Sequence, residues 1–136
     1  MNKEDYVLCG ENIYKEYILA KNLIGKPIKV FKSVKGIELG VKCGETLGVV
    51  GESGSGKSTT GEILGDLQKP TSGNVYYMGK NISEMTDEEY RKYRGDVQFI
   101  FQDPKSSMNP KFNIYELLKE PLITLGIMSE GEEMDN

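Results

Sequence analysis

The 136-residue chain is one domain in size, with 38% hydrophobic residues and 17 basic against 21 acidic side chains for a formal charge of −4, which is enough to bury a moderate core. No apolar run nears the ~20 residues that span a bilayer, the opening Met1-Asn2-Lys3-Glu4-Asp5 lacks a signal-peptide core, and no basic run suits a nucleic-acid surface, so a cytoplasmic chain with no nucleic-acid partner is expected. Histidine is absent, which removes imidazole acid–base and zinc chemistry from these residues, and Cys9 and Cys43 stand apart without metal-ligand or redox spacing, as small buried or half-buried hydrophobes kept reduced.

In chain order, residues 11–17 open a strand that passes into a loop, broken by Gly25-Lys26-Pro27. Residues 28–34 resume with β-branched side chains, and Ile37, Leu39, Val41 and Cys43 alternate with polar or small residues, the pattern of a strand with one buried face. Gly44-Glu45 turns the chain into Thr46-Leu47-Gly48-Val49-Val50, a short apolar run expected as a buried parallel strand. A helix is predicted over 57–67, with Ile63, Leu64 and Leu67 on one side and Pro70 ending it. Pro70-Thr71-Ser72-Gly73 reads as a turn, Val75-Tyr76-Tyr77-Met78 as a strand and Gly79-Lys80-Asn81 as a second turn, together an antiparallel hairpin.

Thr86-Asp87-Glu88-Glu89 has the form of a capping box with an acidic first turn, starting a short helix to Tyr93 or Arg94. Residues 97–101 form a predicted strand that stops at Gln102-Asp103-Pro104. After a loop over 105–112, Asn113 and Glu116 cap a helix holding Ile114, Leu117 and Leu118 until Pro121. Residues 129–136 are acidic and glycine-broken, a solvated tail.

Between the apolar run at 46–50 and the first helix lies Gly51-Glu52-Ser53-Gly54-Ser55-Gly56-Lys57-Ser58, followed by Thr59. It fits the phosphate-binding pattern G-x-x-x-x-G-K-[ST] at every fixed position. A loop that curls round an anion needs backbone without Cβ in the way, so Gly51, Gly54 and Gly56 are expected at positive φ, with N–H donors on the concave side. Lys57 supplies a point charge for β- and γ-phosphates, the Ser58 hydroxyl suits Mg²⁺, and the helix beginning near Gly56 aims its positive end at the same place. A Gly/Ser linker could match the pattern by chance, but it would lack the strand before and the helix after. A nucleoside triphosphate is the expected ligand.

Three stretches, GETLGVVGESGSGKST, PTSGNVYYMGKNI and above all VQFIFQDPKSSMNPKFNIYELLKEPL, resemble the nucleotide-binding subunit of ABC transporters, in the oligopeptide/dipeptide and nickel importer branch. The likeness covers nearly the whole chain. It implies an α/β P-loop NTPase fold, partial, with an antiparallel β portion and the start of a helical subdomain: a partial ATP-binding domain over 1–128 and an acidic tail over 129–136. ATP and Mg²⁺ are the implied cofactors, with Gly51, Glu52, Ser53, Gly54, Ser55, Gly56, Lys57, Ser58 and Thr59 around the phosphates.

By the same resemblance, Tyr17, at the end of ENIYKEY, matches the aromatic that stacks on adenine; a core or surface tyrosine is the plainer alternative, since the chain holds eight Tyr and the motif is short. Gln102 matches the Q-loop glutamine, a Mg²⁺ ligand that helps orient water, and would be catalytic together with Lys57. A polar residue at a strand end is the plainer reading of Gln102. Asp103 follows an apolar run as a Walker B acid would, but the glutamine before it and the proline after it argue against that role. The implied partners are membrane-spanning permease subunits and a second ATP-binding subunit, at the inner face of the cell membrane.

The family's signature motif, Walker B acid with its adjacent glutamate, and switch histidine do not occur between Gln102 and Asn136, so the resemblance is to the front half of the enzyme. Two other readings stand beside it. A small-molecule P-loop kinase would need an arginine-rich lid, for which only Arg91 and Arg94 are available; a nucleotide-binding module without catalysis would need nothing more than the loop.

Overall fold

Pairs of strands, rather than single runs, decide which apolar stretches become sheet. The computed structural model describes residues 2–103 and 108–129, in two compact units, Met1–Thr86 and Asp87–Asn136. In the first unit β1 (Leu8–Lys21), β2 (Pro27–Val41), β3 (Ser72–Tyr77) and β4 (Lys80–Asn81) form one antiparallel sheet in the order β2-β1-β3-β4, with helix α1 (Lys57–Leu64) against it. β1 runs four residues past Tyr17, where the sequence suggested a loop, because β2 keeps pairing with it through Ile18↔Val30 and Ala20↔Lys29 as far as Lys21↔Pro27. Register slips where Asn12 takes φ 50°, and Gly73, at φ 92°, lies so close to the Asn12 carbonyl that a Cβ would strike it.

An antiparallel hairpin is present with shifted bounds: Ser72 and Gly73, expected in a turn, begin β3, and Lys80 and Asn81, also expected in a turn, form β4. Met78, expected in the strand, makes with Gly79 the two-residue turn, both at positive φ (48° and 79°) as a type I′ turn requires. Beneath the sheet, Cys9, Ile13, Val34, Ile63, Val75 and Ile82 are buried. Each such aliphatic side chain contributes roughly 1.5–3 kcal/mol by leaving water. At Gly10 a Cβ would sit 2.9 Å from Ile13 Cγ1 and 3.3 Å from Leu64 Cδ2, so glycine there lets α1 lie close on β1.

Helix α1 ends at Leu64, three residues before the predicted end. Asp66 turns left-handed (φ 54°), the Leu67 N–H reaches back to the Glu62 carbonyl (2.8 Å) and the Asp66 N–H to that of Ile63 (3.1 Å), so a Schellman closure rather than Pro70 stops the helix. Asp66 also pairs with Lys69 at 2.7 Å.

Two expected strands do not form. Residues 46–50 and 97–101 join no ladder among the described residues, and Val50 and Ile100 are 96% and 89% exposed. Parallel strands take their hydrogen bonds from neighbours on both sides, and the four described strands pair only with one another.

The second unit contains α2 (Asp87–Asp96) and α3 (Ile114–Thr124). Asp87, Glu88 and Glu89 occupy the first turn of α2 as expected, and the helix extends two residues past Arg94, with Tyr93 fully buried and its ring 5.8 Å from that of Tyr90. The capping box of α3 is formed: the Glu116 N–H donates to Asn113 Oδ1 (2.9 Å) and the Asn113 N–H to Glu116 Oε2 (2.8 Å). Pro121 does not terminate this helix but sits inside it. The end comes at Gly126 (φ 71°), where Ile127 donates to Leu122 and Gly126 to Ile123, both at 2.9 Å. Residues 104–107, within Asp103-Pro104 and the expected loop over 105–112, and residues 130–136 of the expected tail lie outside the described residues.

Candidate nucleotide site

The loop at 51–58 is held from both ends. Gly54 and Gly56 take φ 79° and 92°, as a loop curling round an anion needs, but Gly51 does not lie at positive φ. Its glycine serves close approach instead, since a Cβ at 51 would sit 2.8 Å from Ser55 Oγ. Inside the curl the Ser55 N–H donates to the Glu52 carbonyl at 3.2 Å. Gly56 combines both demands, because besides its φ a Cβ there would meet the Ser33 carbonyl oxygen at 2.5 Å. The loop therefore leans on the backbone of β2.

Hydroxyls complete that docking. Thr59 Oγ1 lies 3.0 Å from Ser33 Oγ, and the buried Thr60 donates from Oγ1 to the Gly56 carbonyl at 2.9 Å. The Lys57 ammonium spans the loop, donating to the carbonyls of Gly51 (2.8 Å) and Glu52 (2.7 Å). Glu52, Ser53, Gly54, Ser55 and Ser58 are exposed, so the loop and the first turn of α1 are open to solvent.

Tyr17 shares this unit. It pairs with Phe31 across the ribbon, two residues from the Ser33 that touches Thr59. Its hydroxyl donates to Gln68 Oε1 at 2.9 Å, Gln68 Nε2 donates to Glu62 Oε2 at 2.6 Å, and the Lys15 ammonium stands 5.5 Å from the centre of the ring. Ser33, Glu62 and Gln68 gave no signal in the sequence, since each is a single polar residue whose partner is 6 to 51 positions away. Gln102 and Asp103 belong to the second unit, exposed in an irregular segment, whereas the loop and Tyr17 are together in the first.

Elsewhere in the first unit Lys3 donates to Tyr76 Oη and pairs with Glu11 Oε2, both at 2.8 Å, with Tyr76 Oη 3.2 Å from the same carboxylate. The hydrogen bond from Lys3 holds the Glu11 carboxyl below its usual range, and Glu11 in return raises the ammonium above its own. Cys9 is buried as expected, which pushes its thiol up and makes it a packing residue, whereas Cys43, expected buried or half-buried, lies exposed after the end of β2. In the second unit a cleft of about 620 Å³ carries Arg91 and Arg94 among Asp87 and Glu120. The arginines a kinase lid would need thus share their cleft with carboxylates, which counts against a phosphate-clamping role.

A family model described as ABC transporter matches residues 34–135. The chain is 47% identical over 104 residues to the oligopeptide transport ATP-binding protein OppF of Salmonella typhimurium, covering 76% of this chain and 31% of that one. It is 43% identical over 129 residues to the dipeptide transport ATP-binding protein DppF of Haemophilus influenzae, covering 95% and 39%. Among solved structures, a dimeric ATP-binding cassette in a post-hydrolysis state, bound to ADP and Pi, superposes with a TM-score of 0.71 at 30% identity, covering 95% of this chain and 50% of that one. The chain spans about a third of the length of the curated relatives it matches. With a family match over three quarters of its residues, this chain is a member of the ABC transporter family.

Proposed function

We propose that the chain binds ATP with Mg²⁺ as part of the ATP-binding component of a peptide-type ABC importer. The observation that carries this reading is the left-handed backbone at Gly54 and Gly56 directly before an eight-residue helix that opens on Lys57. Successive main-chain N–H groups at a helix N-terminus attract a phosphate chain. In this assignment residues 51–56 surround the phosphates, and Lys57 turns from the Gly51 and Glu52 carbonyls to β- and γ-phosphate oxygens. Ser58, exposed in the first turn, offers its hydroxyl to Mg²⁺, which offsets phosphate charge when bound. Thr59, tied to Ser33, fixes the loop on β2.

Tyr17 is assigned to the adenine, with its hydroxyl anchored on Gln68 so that the ring's orientation is set beforehand. Gln102 is assigned to the metal and to the attacking water in the whole protein. Hydrolysis coupled to transport, permease subunits, a second ATP-binding subunit and a place at the inner membrane face are proposed for that whole protein, in keeping with the oligopeptide and dipeptide transport named for its relatives. Within it, residues 1–128 make up part of the ATP-binding domain, followed by the acidic stretch 129–136. Calorimetric titration with ATP, ADP and AMP in the presence of Mg²⁺ tests the assignment. Affinity should fall with each phosphate removed and vanish for AMP; equal binding of AMP would remove the loop from the site.

A further inference from the structure

The β1–β2 ribbon outruns its own sheet. β3 pairs with β1 only between Leu8 and Tyr14, while β1 and β2 stay paired out to Lys21↔Pro27. The far end is therefore two strands wide among the described residues, a form that is marginal in water without something to cover it. Its turn is nevertheless well built. The Asn22 side-chain oxygen accepts from the N–H groups of Ile24 (3.1 Å) and Lys26 (2.8 Å), the Asn22 N–H donates to the Lys26 carbonyl (2.9 Å), and Gly25 supplies φ 80°. That scaffold points Leu23 and Ile24 outward, the first fully exposed and the second 82% exposed.

Charge gathers at the same end. Residues 17–37 hold five lysines and no acid, whereas the rest of the chain holds 12 basic and 21 acidic residues. Of the five, Lys32 alone has an ion pair among the described residues, with Glu16 at 3.2 Å. A convex apex of two aliphatic side chains ringed by unpaired ammonium groups has the chemistry of an interfacial lipid contact, with apolar groups at the acyl boundary and cations on phosphates. An acidic protein would match the charge but would need a groove shaped to the protruding pair, which a bilayer does not.

We propose that the β1–β2 tip docks on an anionic lipid bilayer, with Leu23 and Ile24 entering the headgroup boundary and Lys21, Lys26 and Lys29 meeting lipid phosphates. The inference does not rest on the nucleotide reading, because none of these residues belongs to the loop or to its supports.

Co-sedimentation of the purified chain with vesicles of phosphatidylcholine, with and without phosphatidylglycerol, tests it. Binding should require phosphatidylglycerol and weaken with salt. The combined Lys21→Ala, Lys26→Ala and Lys29→Ala variant should lose about a hundredfold, at about fivefold per lysine. Leu23→Ser with Ile24→Ser should weaken binding even at low salt, and both variants should keep the native chain's circular dichroism and its ATP affinity. The proposal is overturned if the triple variant binds phosphatidylglycerol vesicles like the native chain, or if the native chain binds neither vesicle. Binding to polyglutamate without binding to vesicles would overturn it as well, transferring the patch to an acidic protein.

Discussion

Tyr17 shows how one side chain can be tested apart from its neighbours. Its hydroxyl is bound to Gln68 and its ring is the part assigned to adenine. Tyr17→Ala should weaken ATP several-fold, about 1 kcal/mol as for single aromatic stacking contacts, and leave inorganic triphosphate binding unchanged. Tyr17→Phe should keep most of the ATP affinity, and equal losses of both ligands in Tyr17→Ala would make the residue a folding element. A second residue-scale effect comes from Glu11, whose carboxyl Lys3 holds below its usual range. A lowered carboxyl pKa adds stability that is complete above the unfolded value, about 4.3, and is lost as pH falls through the folded one. Acid unfolding followed by circular dichroism should therefore begin at higher pH in Lys3→Met, where the pairing is gone; an unchanged acid limb would mean the pair contributes nothing.

At the scale of elements, α3 carries an internal contradiction. Its capping box is complete, yet Pro121 sits within the helix, where the Leu117 carbonyl lacks its usual N–H donor. Pro121→Ala should raise stability by about 1–3 kcal/mol, and Asn113→Ala should lower it by about 1 kcal/mol, both readable from urea unfolding monitored by circular dichroism. A Pro121→Ala chain no more stable than the native one would show that the bend is accommodated without strain. The same elements reveal what the sequence could carry. Local chemistry was legible: the capping box at Asn113, a hairpin turn that includes Gly79, the acidic start of α2 and the fixed positions of the loop all depend on residues within a few positions of one another. Partnered features were not. Residues 46–50 and 97–101 look like strands because their side chains suit one, but pairing depends on neighbours that lie far along the chain, and the early end of α1 depends on a left-handed Asp66 where glycine is the usual signal. For the site, the glycine positions were readable, while the reason for Gly51 and Gly56 depends on Ser55 and on Ser33 of β2.

For the whole molecule, the two unpaired apolar runs have a consequence. Open backbone edges and exposed valine, isoleucine and phenylalanine invite pairing with other chains. The isolated chain should elute from size-exclusion chromatography as associated species and show no Mg²⁺-dependent ATP turnover, because in-line hydrolysis needs a positioned water and γ-phosphate stabilisation that the loop alone does not supply. A monodisperse monomer, or turnover that disappears on Lys57→Ala, would contradict that expectation. The central claim is narrower: the loop from Gly51 to Ser58 holds the phosphates of ATP, with Lys57 as its charge. Isothermal titration of native chain and Lys57→Ala with Mg-ATP tests it most directly. Measurable binding by the native chain that is lost in the variant is the predicted result, and equal affinity for the two would contradict it.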